Sequence, residues 1–156
     1  MSNGLTPENY NDVFVQLERA RVRYVVIGGV AVVLHGHVRP TADLDIAIDP
    51  VPDEARRAFN ALSVCGFVPS IPIPLSAITI MRMYDRLTRE IDVFVRYQIP
   101  FAELWAGSEM MKVCDRPVRV SSIEHLIREK RVNTQRPTNQ LDVEALLAIT
   151  KPPATP

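Results

Sequence analysis

The sequence predicts an α/β protein: a mixed β-sheet flanked by helices, with a small helical segment at the C-terminal end. Two observations carry this. Short β-branched runs at Tyr24–Ile27, Leu44–Ile48 and Arg89–Val95 alternate with longer segments whose apolar residues recur at helical spacing. After residue 120 the pattern turns wholly helical, with stripes at residues 123–131 and 139–149. With 156 residues, the chain is long enough to bury roughly 70% of its unfolded surface around one core.

Each element has a local cause. Thr6-Pro7-Glu8 is a helix start, with a hydroxyl cap, a proline in the first turn and an acid near the N-terminus; Tyr10, Val13, Phe14 and Leu17 then line one face to about Arg21. Tyr24–Ile27 reads as a buried strand ending in Gly28-Gly29, and Val30–Leu34 as a short helix stopped near Gly36. Leu44–Ile48 is a second strand closed by Asp49-Pro50. Asp53–Cys65 is a helix with Gly66 as its stop. Three of the thirteen prolines fall in Pro69–Pro74, which predicts an extended loop or edge. Ile78–Met83 and Arg89–Val95 predict neighbouring strands across Asp85-Arg86. Phe101–Trp105 predicts a short helix, and Met111–Cys114 with Val118–Val120 a small hairpin. Ser121 with Glu124 three residues on is a capping box for the next helix. The expected organisation is a core over residues 1–120, a helical pair packed on it over 121–150, and a disordered proline-rich tail over 151–156.

Composition narrows the class. Hydrophobic residues make up 47% and charged residues 23%, with Lys+Arg equal to Asp+Glu, which excludes disorder as the main state and gives no global pull toward nucleic acid. The longest apolar run, Tyr24–His35, is too short for a membrane span and is broken by two glycines. No basic-then-apolar leader opens the chain, so a cytoplasmic protein is expected, with Cys65 and Cys114 reduced in the core.

The informative stretch is Gly28-Gly29, thirteen further residues, then Asp43-Leu44-Asp45. Side chains alternate along a strand, so Asp43 and Asp45 share a face, about 7 Å apart, and repel unless a cation sits between them. A hard divalent ion such as Mg²⁺ suits that arrangement. Asp92 interrupts the apolar run of a later strand; if that strand neighbours the first, the three carboxylates can hold two metal ions. Taken singly, each feature is as well explained by a turn or a solvated strand face. The conjunction favours a site. Arg39 and Thr41 share the parity of the two aspartates and join that face. Lys130 continues the apolar stripe of Ile123, Leu126 and Ile127 and so points inward, toward either a ligand or a salt bridge with Asp142. His35 and His37 lack the further ligands a zinc site needs. Arg128, Lys130, Arg131 and Arg136 form a modest basic cluster that can accept an RNA backbone or simply face solvent.

This constellation resembles the DNA polymerase β-type nucleotidyltransferase superfamily. The run GGVAVVLHGHVRPTADLDI is similar to the minimal nucleotidyltransferases of the AbiEii and MenT toxin type. The resemblance implies a nucleotidyltransferase fold and transfer of NMP from an NTP (ATP among them) to a hydroxyl of an RNA such as a tRNA 3′ end, or of a protein. The setting it implies is toxin–antitoxin or phage defence, with a cognate antitoxin as partner. It implies Asp43 and Asp45 as ligands of both Mg²⁺ ions, with Mn²⁺ able to replace them, and Asp92 as ligand of the ion at the attacking hydroxyl. Gly28, Gly29, Arg39, Thr41 and Lys130 would lie against the nucleotide. Many relatives carry serine where this chain has Gly29, which removes a hydroxyl contact to phosphate. The alternatives are a non-catalytic binding module on the same fold and a small-molecule (antibiotic) nucleotidyltransferase, the latter disfavoured by the missing serine and the lack of a second substrate domain.

Overall fold

The computed structural model describes residues 4–70, 79–132 and 136–150. A 3₁₀ turn, Pro7–Tyr10, leads into α1 (Asn11–Arg19); the Asn9 side chain reaches back to accept from the Thr6 N–H at 2.8 Å. Next come β1 (Tyr24–Ile27), α2 (Gly28–Leu34), β2 (Asp43–Ile48), α3 (Pro52–Val64) and a two-residue strand, β3 (Val68–Pro69). The chain continues with β4 (Ile80–Tyr84), β5 (Glu90–Phe94), α4 (Phe101–Gly107), β6 (Glu109–Val113), β7 (Arg116–Val120), α5 (Ile123–Val132) and α6 (Pro137–Thr150). Residues 71–74 of the proline-rich stretch, the expected strand start at Ile78 and the tail 151–156 lie outside the described residues.

The strands form one mixed sheet in the order β3-β4-β5-β2-β1-β7-β6. The acidic strands are central: β2 pairs antiparallel with β1 and parallel with β5. One face of the sheet carries the main core. Leu44, Ile46 and Ile48 of β2, Ile91 and Val93 of β5, and Met81 and Met83 of β4 meet Val13, Phe14 and Leu17 of α1 and Ala55, Ala58 and Leu62 of α3. The opposite face is apolar at one end only. There Val25, Ile27 and Ala47 pack with Ile99 and Leu104 of the α4 region. Strand alternation puts Asp43 and Asp45 on this second face, beside Ala47.

Two local details differ from the sequence reading, the α5 cap and the placing of the cysteines. The α5 cap is Ser122, whose Oγ accepts from the His125 N–H at 3.1 Å, because the helix starts two residues after Ser121. Cys114 is exposed at a positive φ of 49° in the β6–β7 turn instead of in the core; Cys65 is partly buried. Lys130 does point inward, and is 5% exposed. The glycine stop of α3 is as expected: Gly66 takes φ 90°, and Phe67 N–H closes on Leu62 O at 3.1 Å, burying Phe67. None of the described helices is long and apolar enough to cross a membrane.

Phe14 is fully buried and stacks on Tyr24 with ring centroids 6.4 Å apart, which ties α1 to β1. Phe14→Ala is expected to cost about 3–5 kcal/mol of unfolding free energy in a denaturant titration, since the sheet cannot collapse into the gap.

Candidate active site

The site grows from one register. Across the β2–β5 parallel pair Asp43 lies opposite Glu90 and Asp45 opposite Asp92, while β4 places Arg82 opposite Asp92. Partners in register share a face, so two rows of acids stand side by side. Carboxylate oxygens of Asp43, Glu90 and Asp92 all lie within 4.8 Å of one another, close enough to share a metal ion. Asp45 lies deeper, beside the β1–α2 turn. Its Oδ2 lies against the place where a Cβ on Gly28 would stand, and Gly28 adopts φ 67°. Glycine is therefore needed here twice, for the left-handed backbone and for the carboxylate above it.

Electrostatics match the crowding. Burial, then Glu90 and Asp92, push the Asp43 carboxyl up to about 6. Burial, then Asp43 and Asp92, push Asp45 up to about 8. The Asp45 Oδ1 is buried without a hydrogen-bond partner. Such an orphaned carboxyl oxygen, beside three other carboxyl groups, belongs to a donor set that a divalent cation satisfies by displacing the proton. The internal counter-charge is Arg82, which donates from Nε and Nη2 to the two Asp92 oxygens at 2.9 and 3.2 Å and approaches Glu90 at 3.7 Å.

The other expected residues gather around a second carboxylate. Asp142 of α6, fully buried, accepts from Arg39 Nε at 2.9 Å and Nη2 at 2.8 Å; Lys130 Nζ lies 3.0 Å away and His37 Nε2 3.5 Å. Burial alone would push Asp142 up, but the hydrogen bonds from Arg39 and Lys130 outweigh it and hold its carboxyl below the usual range. Arg39 also fills the space beside Gly29: Nη2 stands 3.0 Å, and Thr41 Cγ2 3.3 Å, from where a Cβ would be. A serine at 29 would meet that guanidinium. The Thr41 hydroxyl donates to Leu5 O at 3.0 Å and fastens the N-terminal segment to the strand leading into β2.

Glu90 and Arg82 were missed by sequence reasoning. Glu90 has a signal in retrospect, because Glu90-Ile91-Asp92 repeats the acid–apolar–acid spacing of Asp43-Leu44-Asp45; Arg82 has none, since only pairing across the β4–β5 hairpin brings it to Asp92. The basic cluster does not form a single surface. Lys130 is buried on Asp142, and Arg128 Nη1 bonds Glu103 Oε1 at 2.5 Å. His35 Nε2 contacts Ser121 O at 2.7 Å, and neither His35 nor His37 joins the acidic group.

Gly28→Ala is expected to lower stability by roughly 1–3 kcal/mol through backbone strain plus the Asp45 contact. Gly66→Ala, with φ 90° but open space around it, should lose only about 1 kcal/mol, so paired denaturant titrations separate crowding from conformation. A pH dependence follows as well. The folded state binds the Asp43 and Asp45 protons more tightly than the unfolded chain, so their stabilising contribution is complete below about pH 4. It is lost as pH rises through about 6 and then about 8. Melting temperature in EDTA should therefore decline across that window from these two groups, and Mn²⁺ should restore it most at the alkaline end.

No protein-family model matches this sequence, and a search of curated proteins also finds no match. Solved structures do match. The chain is similar to the lincosamide antibiotic adenylyltransferase LnuA in its lincomycin-bound form (TM-score 0.73, 19% identity), covering 95% of this chain and 100% of that one. It is similar to an antigenic nucleotidyltransferase-like protein from Paracoccidioides brasiliensis (TM-score 0.66, 20% identity, 96% and 80% covered). It is also similar to ANT(2")-Ia in complex with adenylyl-2"-tobramycin (TM-score 0.66, 14% identity, 90% and 86% covered). At these identities the likeness is one of architecture: the chain has the nucleotidyltransferase fold.

Proposed function

We propose that this protein is a Mg²⁺-dependent nucleotidyltransferase that moves NMP from an NTP to an acceptor hydroxyl, with pyrophosphate leaving. The observation that carries the reading is the convergence of Asp43, Glu90 and Asp92 oxygens within 4.8 Å, beside the orphaned Asp45 carboxylate and the Gly28 turn. These four acids would hold two divalent ions, Mg²⁺ or Mn²⁺. Bound there, the metal would neutralise phosphate charge and lower the pKa of the attacking hydroxyl. The chain's own groups bind and orient. Asp92 sits on the β4 side of the acids, where an acceptor would approach. Arg39 spends three of its five N–H donors on Asp142 and Pro40 O, which leaves two for phosphate over the Gly28-Gly29 turn. That guanidinium would take the place of the absent serine. Lys130, fixed on Asp142, adds positive charge behind it. Residues 121–150 act as a helical pair carrying these groups onto the 1–120 core.

The acceptor that the geometry favours is a small molecule. The groove on the β4 side of the acids is lined by Ile80, Phe94 and Tyr97, apolar and aromatic side chains that suit a small organic acceptor. LnuA, named for a lincosamide and bound to lincomycin, is spanned in full by this chain, which supports a small-molecule acceptor without a second substrate domain. A second reading keeps an RNA or protein hydroxyl as acceptor, in a toxin setting with an antitoxin partner and cytoplasmic location. It is favoured by the run from Gly28 to Ile46 and by Arg131 on α5 and Arg136 just before α6.

Asp43→Ala and Asp92→Ala are each expected to reduce transfer of label from an α-labelled NTP by at least about a thousandfold, since positioning and metal charge supply most of the rate. The assay is run with each NTP against lincosamides, aminoglycosides and total RNA as acceptors. Unchanged incorporation in either variant would falsify the assignment.

A further inference from the structure

We propose that the groove beside the acids, lined by Ile80, Phe94, Tyr97, Gln98 and Glu129, is the acceptor subsite, and that it takes an amphipathic hydroxy-amine whose ammonium group pairs with Glu129. The proposal deepens the nucleotidyltransferase reading and rests on it.

The groove has a volume of about 270 Å³, which suits one substituted ring. Its floor continues the acidic face. Ile80 and Phe94 are register partners one step along from Arg82 and Asp92, so a molecule lying on them ends beside Asp92. Tyr97 stands edge-on to Phe94 with centroids 5.5 Å apart and forms an aromatic wall. Glu129 comes from α5. Its Oε2 is buried with no hydrogen-bond partner, and among the described residues no cation lies within 4.0 Å of the carboxyl. Lys130 is the neighbouring cation, and it is already held on Asp142. Arg96 also lines the groove but is exposed. Burial raises the Glu129 carboxyl, against the opposing pull of Lys130 and of Tyr97.

The Tyr97 side chain engages the Glu129 carboxyl, but Oε2 is left without a partner, and a buried oxygen in that state costs free energy that a charged donor recovers. The terminal bond of glutamate turns over a broad, shallow range, so the side chain can present either oxygen to the groove. A neutral donor would satisfy the oxygen without meeting the field of Asp45, on which Glu129 also acts. An ammonium meets both, and the ring faces of Phe94 and Tyr97 add cation–π attraction.

The test uses the full chain with saturating Mg²⁺, so that the acidic rows are occupied, and two probes of equal shape: para-(aminomethyl)benzyl alcohol and benzene-para-dimethanol. Affinities come from titrations followed in proton–nitrogen correlation spectra. The amine is expected to bind about tenfold more tightly than the diol, and Glu129→Gln to bring the two to near equality. Equal affinities in the wild type, no binding of either probe, or a preference that survives Glu129→Gln overturns the proposal. If the variant fails to fold, contacts between the amine's ring protons and the Tyr97 and Phe94 rings in the wild type decide instead, and their absence overturns it. The label-transfer assay runs alongside. Amine preference without transfer to any acceptor sinks the nucleotidyltransferase reading alone; transfer without amine preference sinks the groove alone.

Discussion

The parallel register of β2 against β5 is the constraint on which the rest of the structure depends. It sets Asp43 opposite Glu90 and Asp45 opposite Asp92 in the middle of a sheet, where like charges facing each other are unfavourable. A register one residue away would send these acids into the main core and bring Leu44, Ile46, Ile91 and Val93 to the open face. The core therefore fixes the site. Every apolar residue that α1 and α3 bury on one side of the central strands determines which acids appear on the other. The raised Asp43 and Asp45 carboxyls and the Arg82 pair on Asp92 are the consequence, a face that is unfavourable when empty of cations and suited to receiving them.

The C-terminal helices complete the face through charge more than through area. Asp142 collects Arg39 from the loop before β2, Lys130 from α5 and His37 from the segment after α2. Removing one partner from such a buried ionic group strands the others, so the cluster ties α5 and α6 to the strand leading into the acids. Its geometry also sets function-bearing atoms. Arg39 is steered over Gly29, and the next residue before Lys130, Glu129, is turned toward Tyr97 and the acidic face. One helix thus turns a cation, Lys130, onto Asp142 and an anion, Glu129, into the groove beside Tyr97.

Carboxylates dominate the β2–β5 rows, and cations gather on Asp142 and beside Gly29. In the proposed reaction that polarity would separate a small cationic acceptor from a triphosphate. It also explains why the even overall charge of the chain says little about local fields: opposite charges are segregated between the acidic rows and the Asp142 cluster.

Much of this was legible in the chain of residues. Alternation placed Asp43 and Asp45 on one face, the glycines marked the turn after β1, Gly66 marked the end of α3, and the stripe through Ile123 and Leu126 turned Lys130 inward, because each signal acts within a few residues. Other features depended on partners far along the chain. Glu90 joins the acidic group only through its register with Asp43, Arg82 meets Asp92 only across its hairpin, and Arg39 reaches Asp142 only because the chain folds back across 103 residues, onto the aspartate already legible as a partner for Lys130. Sequence by itself determined the periodicities, the glycine stop of α3 and the acid spacing, all set by local backbone geometry. Tertiary structure alone decided which charges meet, because strand register and helix docking follow from the burial of the whole core.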